Sequence, residues 1–217
     1  YINGTELHST TNIELLGIII DYKLSFSQHI DNICKKTNNK VSQLLRMRNN
    51  MSIAQTRSTV NAYILPYFIY CPLIWMFCHK KDIKIINKVH KRALRAIHGL
   101  FSLDYNELVN TENTTSIHVK HLQILMTEVF KSLNYTVPQI MCDLFKKKDM
   151  PYNLRNQKLL QIPPARTITY GTNSLIFKAS ILWNTLPNEY KTAKSVNIFK
   201  TNIKKWSGSS CHCFLCK

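Results

Sequence analysis

From Ile30 to Leu45 the residues Ile30, Ile33, Cys34, Thr37, Val41, Leu44 and Leu45 recur at the i, i+3, i+4, i+7 interval of a single helix face. Lys35, Asn39, Gln43 and Arg46 lie opposite, with Lys36 and Lys40 on the flank. A stretch patterned this way cannot sit as a strand, whose side chains alternate with a period of two. Ser27 is placed to cap this helix, which is predicted to run to about Arg48. Ser52 caps a second helix, through about Leu65. There Pro66 should end it, because proline has no N–H and its ring collides with the preceding turn. Asp82 opens a third, to about Ile97, with Ile83, Ile86, Val89, Ala93, Leu94 and Ile97 inward. Lys84, Lys88, Lys91, Arg92 and Arg95 face outward, and Gly99 can supply a left-handed C-cap. Five glycines and seven prolines in 217 residues are too few breaks for a turn-rich β fold.

The remaining segments are less uniform. Residues 13–20 form a β-branched apolar run ending at Asp21 and predict a buried strand. Ala62 to Cys78 is uncharged but shorter than the roughly 20 residues a bilayer needs. With Pro66 and Pro72 inside it, it reads as buried core and not as a membrane span. Ser116 caps a helix bearing Ile117, His121, Ile124, Leu125, Val129 and Leu133. Pro138 begins another, ending at Lys146-Lys147-Lys148, and Pro151 marks a candidate boundary. Arg166–Thr172 alternates like a short strand. Helices are predicted for Ser174–Leu182 and Val196–Trp206.

The chain carries 29 Lys and Arg against 12 Asp and Glu, a formal net charge of +17. From Asn32 to Lys81 there is no acidic residue but there are eight basic ones. A helix that is merely solvated usually mixes signs, whereas a single-sign face repels itself until a partner neutralises it. The partner implied is a polyanion. Two readings follow. In one, Lys35, Lys36, Lys40, Arg46, Arg48 and Arg57 contact the phosphates of a nucleic acid. In the other, the chain is a basic helical protein-interaction or scaffold module that meets acidic proteins and has no nucleic-acid role.

No phosphate-binding glycine loop, zinc-protease H-E-x-x-H or G-x-S-x-G elbow is present, and no close pair of aspartates offers a two-metal site. The expectation is that the chain is not an enzyme as it stands. Of seven cysteines, Cys34, Cys71, Cys78 and Cys142 fall in apolar surroundings and read as buried reduced thiols. Together with a start that lacks a secretory leader, they suggest an intracellular protein, in nucleus or cytoplasm. Cys211, Cys213 and Cys216 form C-x-C-x-x-C, a thiolate set suited to Zn²⁺. Structural zinc needs a fourth ligand, and His212, wedged between two of the thiols, is badly placed to share their ion. The alternative is a flexible thiol-containing tail. His29, His118 and His121 read as partly buried polar residues.

The order of several short motifs resembles non-long-terminal-repeat (LINE-type) retrotransposon reverse transcriptases of the jockey-like branch. The series is Leu16-Gly17-Ile18-Ile19-Ile20-Asp21, Leu24-x-Phe26-x-x-His29-Ile30, Tyr70-Cys71-Pro72-Leu73-Ile74-Trp75 and His90-Lys91-Arg92-Ala93-Leu94-Arg95. It continues with Tyr152-Asn153-Leu154-Arg155, Tyr170-Gly171-Thr172-x-Ser174, Trp183-Asn184-x-Leu186-Pro187 and the cysteine-rich end. The resemblance implies a fragment of an RNA-directed DNA polymerase with a mainly α fold. Residues 1–25 would be a remnant of a palm-side strand and 26–100 a helical, thumb-like bundle. Residues 101–150 would be a helical connector. Residues 151–217 would be a helical or irregular C-terminal region with at most a few short strands. It further implies that the partners are an RNA–DNA hybrid or duplex and the polymerase domains missing from this sequence, with no membrane. Catalytic Mg²⁺ would belong to the missing palm. The final motif departs from the family, which usually has Pro and Arg where this chain has His212 and Phe214.

Overall fold

A computed structural model describes residues 10–148, 159–208 and Cys211, and it is mainly α-helical. Its only sheet among the described residues is a pair, β1 (Asn12–Leu15) and β2 (Ile18–Asp21). In chain order the helices are α1 (Ser27–Met47), α2 (Ile53–Thr59), α3 (Leu65–Ile69), α4 (Pro72–Trp75), α5 (Lys80–His98) and α6 (Tyr105–Thr111). They continue with α7 (Ile117–Leu133), α8 (Gln139–Cys142), α9 (Leu175–Thr185), α10 (Asn188–Lys191) and α11 (Val196–Ile203). The chain divides into two compact units. The first takes described residues up to 70 together with 78–112, and the second takes 71–77 with those from 113 onward.

In the first unit the apolar run of residues 13–20 is a hairpin and not one buried strand. Leu16 and Gly17, at φ 49° and 81°, make a two-residue turn with both central residues left-handed. Ile13 then pairs with Ile20 and Leu15 with Ile18. β1 lies on the surface, while Ile18 is buried. Hydropathy alone could not reveal the fold-back, because Leu16-Gly17 is not among the commonest turn pairs.

Asp21 organises the passage from β2 into α1. Its carboxylate accepts from the backbone N–H groups of Lys23, Ser25 and Phe26 at 3.1, 3.1 and 2.7 Å. Burial pushes this carboxyl up, but those bonds and the Ser25 hydroxyl outweigh it and hold it below its ordinary range. Ser27 is the first residue of α1 and not its cap. Its hydroxyl instead donates to Asp82 at 2.7 Å. That contact joins the starts of α1 and α5. Arg92 of α5 donates to Asn38 and Ser42 of α1 further along. The two helices therefore run side by side in the same direction.

Ser52 and Gln55 cap α2 reciprocally. Pro66 does not end the helix that follows. A π-helical stretch, Val60–Ile64, widens the turn just before it, and the Leu65 N–H reaches back to the Val60 carbonyl. The wider turn lets the chain pass a residue with no N–H to donate, and α3 continues to Ile69. α5 begins at Lys80, ahead of the expected Asp82, and ends at Gly99, whose φ of 70° is the left-handed cap its composition implied.

In the second unit α7 packs against α4, α9 and α11. Its core holds Met76, Leu122, Met126, Phe130, Trp183, Phe199 and Trp206. Phe130 stacks on Phe199 with ring centroids 4.3 Å apart. Asn184 pairs with both backbone groups of Leu160, donating to its carbonyl at 2.9 Å and accepting from its N–H at 2.8 Å. Residues 168–172 form a π-helical turn and not the expected strand. Among the described residues no other segment pairs with them in a ladder, and an isolated strand leaves its backbone groups unpaired. Pro151 and the Tyr152–Arg155 motif lie outside the described residues. Among the described residues, no helix is long and apolar enough to cross a membrane.

Candidate nucleic-acid interface

The six basic side chains singled out from the sequence do different things. Arg48 turns inward. Its Nε donates to the Ala96 carbonyl at 2.7 Å, and its guanidinium lies against Gly99 at the end of α5. Arg57 is held in an ion pair with Glu112, which also takes His98. Lys40 is half-buried, with its ammonium 5.2 Å from the Tyr67 ring centroid and 5.9 Å from that of Tyr63. Lys35 is exposed and pairs with Asp31 one turn back at 2.7 Å, a surface contact of small energetic weight. Lys36 and Arg46 are exposed and enter no ion pair among the described residues.

The seam between α1 and α5 shows which of these share a surface. Arg92 reaches across it to Asn38 and Ser42. Residues one turn away on each helix must flank that same seam. On α1 these are Lys35, three before Asn38, and Arg46, four after Ser42. On α5 they are Lys88 and Lys84, four and eight before Arg92, with Lys81 a further turn back. All five are exposed. They make a basic band along the outer edge of two parallel helices. At 1.5 Å per residue, Lys35 and Arg46 lie about 16 Å apart along α1. Lys36 continues the band around α1 towards Lys40 and the exposed ring of Tyr63.

Lys84 and Lys88 belong to this band, although sequence reasoning placed them only on an outward face. Their spacing from Arg92 was visible in the sequence. What was missing was that Arg92 points across a seam to α1, and only the packing reveals that.

The cysteines divide similarly. Cys34, Cys78 and Cys142 are buried as expected, but Cys71 is exposed. Cys71 precedes α4 in a left-handed conformation at φ 43°, which carries its side chain outward from an apolar sequence neighbourhood. Burial pushes the Cys34 and Cys78 thiols up to about 12, with nearby carboxylates adding to the shift. His29, His118 and His121 are buried, more so than their sequence context suggested. Cys211 lies beside α7, while Cys213 and Cys216 fall outside the described residues. Among the described residues no group of three His, Cys, Asp or Glu side chains is gathered closely enough to hold a metal. No family model matches this chain, and no curated protein or solved structure matches it either.

Proposed function

We propose that this chain is the nucleic-acid-holding, non-catalytic part of a non-long-terminal-repeat retrotransposon reverse transcriptase, and that it grips the template–primer duplex by its backbone without reading sequence. The ordered motifs support the family. One observation carries the function: exposed Lys81, Lys84, Lys88, Lys35 and Arg46 line one edge of the α1–α5 pair, and among the described residues Asp31 is the only acidic side chain paired into it. A rigid, single-sign edge suits phosphates, which position a duplex and carry no sequence information. Acidic proteins would meet the same charge but need no extended straight edge.

Salt titration tests the reading. The log–log salt slope of affinity for duplex DNA should fall by about 0.9 for each neutralised phosphate lost. Lys84→Gln, Lys88→Gln and Arg46→Gln should each shallow it by about that amount, equally for unrelated sequences. Lys200→Gln, on α11, should leave it unchanged. Binding with no salt dependence removes the proposal. Equal competition by heparin and by hybrid favours an acidic-protein partner instead.

A further inference from the structure

The π-helical stretch Val60–Ile64 is of a kind that occurs frequently at functional sites, and it carries Tyr63. Tyr67 follows one turn on, in α3. Lys40 reaches over from α1 and sets its ammonium against both rings, 5.2 Å from the Tyr67 centroid and 5.9 Å from that of Tyr63. Tyr63 is nevertheless 62% exposed. An open tyrosine alone carries no message, since Tyr135 and Tyr170 are as exposed. Tyr22 also has a cation near it, but that is its own neighbour Lys23. Tyr63 differs because its cation comes from another helix and is not neutralised. Lys91, by contrast, is tied to a carboxylate, that of Asp104. Lys40 is held by two rings and enters no ion pair among the described residues, so its charge stays available. Lys36, one turn earlier on α1, is exposed and equally without an ion pair among them.

We infer that Tyr63, with Lys40 and Lys36 beside it, is a stacking platform for an unpaired base, resting on the duplex reading above. Sites for single-stranded nucleic acid combine a cation that meets the phosphate with an aromatic ring on which the base lies. Both parts are present here, side by side, where Lys36 continues the basic band around α1. Bases inside a duplex stack on one another and leave no face free, whereas an unpaired base beyond its end can settle on a ring. The partner is thereby narrowed from any duplex to one that carries a single-stranded extension. A protein side chain could lie on the same ring, but the unneutralised cations beside it favour a polyanion.

Fluorescence anisotropy with the full chain should compare a blunt duplex with the same duplex carrying a short single-stranded extension. The native chain should bind the extended form about 5- to 150-fold more tightly for one stacked base. Tyr63→Ala should lose that preference while holding the blunt duplex as the native chain does, with the same salt slope, since a ring neutralises no phosphate. Tyr63→Phe should keep the preference, because stacking needs the ring and not the hydroxyl. Tyr170→Ala, an open ring in the second unit, should change neither affinity. If the native chain binds both forms alike and with salt-dependent affinity, the platform is overturned and the duplex reading stands. The platform is also overturned if Tyr63→Ala retains the preference, if Tyr63→Phe loses it, or if Tyr63→Ala weakens both forms equally. Failure to bind either form removes the duplex reading and the platform together.

Discussion

Arg57 meets Glu112 fork to fork, its Nε donating to Oε1 at 2.5 Å and its Nη2 to Oε2 at 3.1 Å, while His98 Nε2 stands 2.5 Å from the same Oε2. The Glu112 side chain is only 8% exposed. One carboxylate thus ties α2, the end of α5 and the end of α6 together. Arg57 is committed to the fold and contributes little to the outer field.

The Glu112 clamp should make the fold sensitive to acid. Burial pushes its carboxyl up, but hydrogen bonds from Arg57 and His98 outweigh that and hold it below the usual carboxylate range. A carboxyl depressed in the folded state contributes stability that is complete above its unfolded value, about 4.3, and that is lost as pH falls through the folded value. Glu112→Gln should cost about 1–3 kcal/mol at pH 7. It should also flatten the loss of stability below about pH 4.3, as read by urea unfolding across pH. A mutant as acid-sensitive as the native chain would show that the clamp is not responsible.

Gly99 and Arg48 should prove coupled. Gly99→Ala places a Cβ in a left-handed conformation and 2.4 Å from Arg48 Nη2. The backbone conformation alone should cost about 1–2 kcal/mol. Arg48→Met removes the bond to the Ala96 carbonyl and should cost about 1 kcal/mol. Because the substituted guanidinium is the obstacle, the double variant should be less destabilised than the sum. Strict additivity in thermal melts would exclude the contact.

Phe199 is wholly buried between Phe130 and Trp183, stacked on both. Phe199→Ala should cost about 3–5 kcal/mol. Phe199→Leu should recover much of it, measured by chemical denaturation. A loss under about 1 kcal/mol for the alanine variant would mean that this stack is not central to the second unit.

Thiol reactivity should follow exposure and not sequence neighbourhood. Burial first, and then nearby carboxylates, push the Cys34 and Cys78 thiols up to about 12, so little thiolate forms near neutrality. Brief alkylation of the folded chain, read by peptide mass spectrometry, should label Cys71 and spare Cys34 and Cys78 until denaturant is added. Equal labelling of Cys34 and Cys71 would contradict the burial.

The helices were legible where an apolar face recurred without a break, as at Ile30–Leu44, and where a cap marked an end, as at Ser52 and Gly99, although Ser27 proved not to be the cap of α1. Legibility failed where backbone geometry overrode composition. Leu16-Gly17 folds a single apolar run into a hairpin, a π-helical turn carries the chain through Pro66, and residues 168–172 form a π-helical turn with no strand beside them among the described residues. The candidate interface was half legible. Charge placement marked α1, but whether an arginine reaches outward or inward depends on partners distant in sequence. Arg48 found Ala96 and Arg57 found Glu112, whereas Arg46 enters no ion pair among the described residues. No local pattern encodes that difference.

The parallel run of α1 and α5 has an electrical consequence. Parallel helices add their peptide dipoles, so two carboxyl ends, each worth about half a negative charge, lie together near Met47 and His98. Left alone they would place close to a full negative charge at one end of the basic band. The guanidinium of Arg48 sits against that end of α5, hydrogen-bonded to one of its last carbonyls. An arginine turned into the fold thus offsets the negative end of α5 beside the basic band, as a cation near a helix C-terminus does.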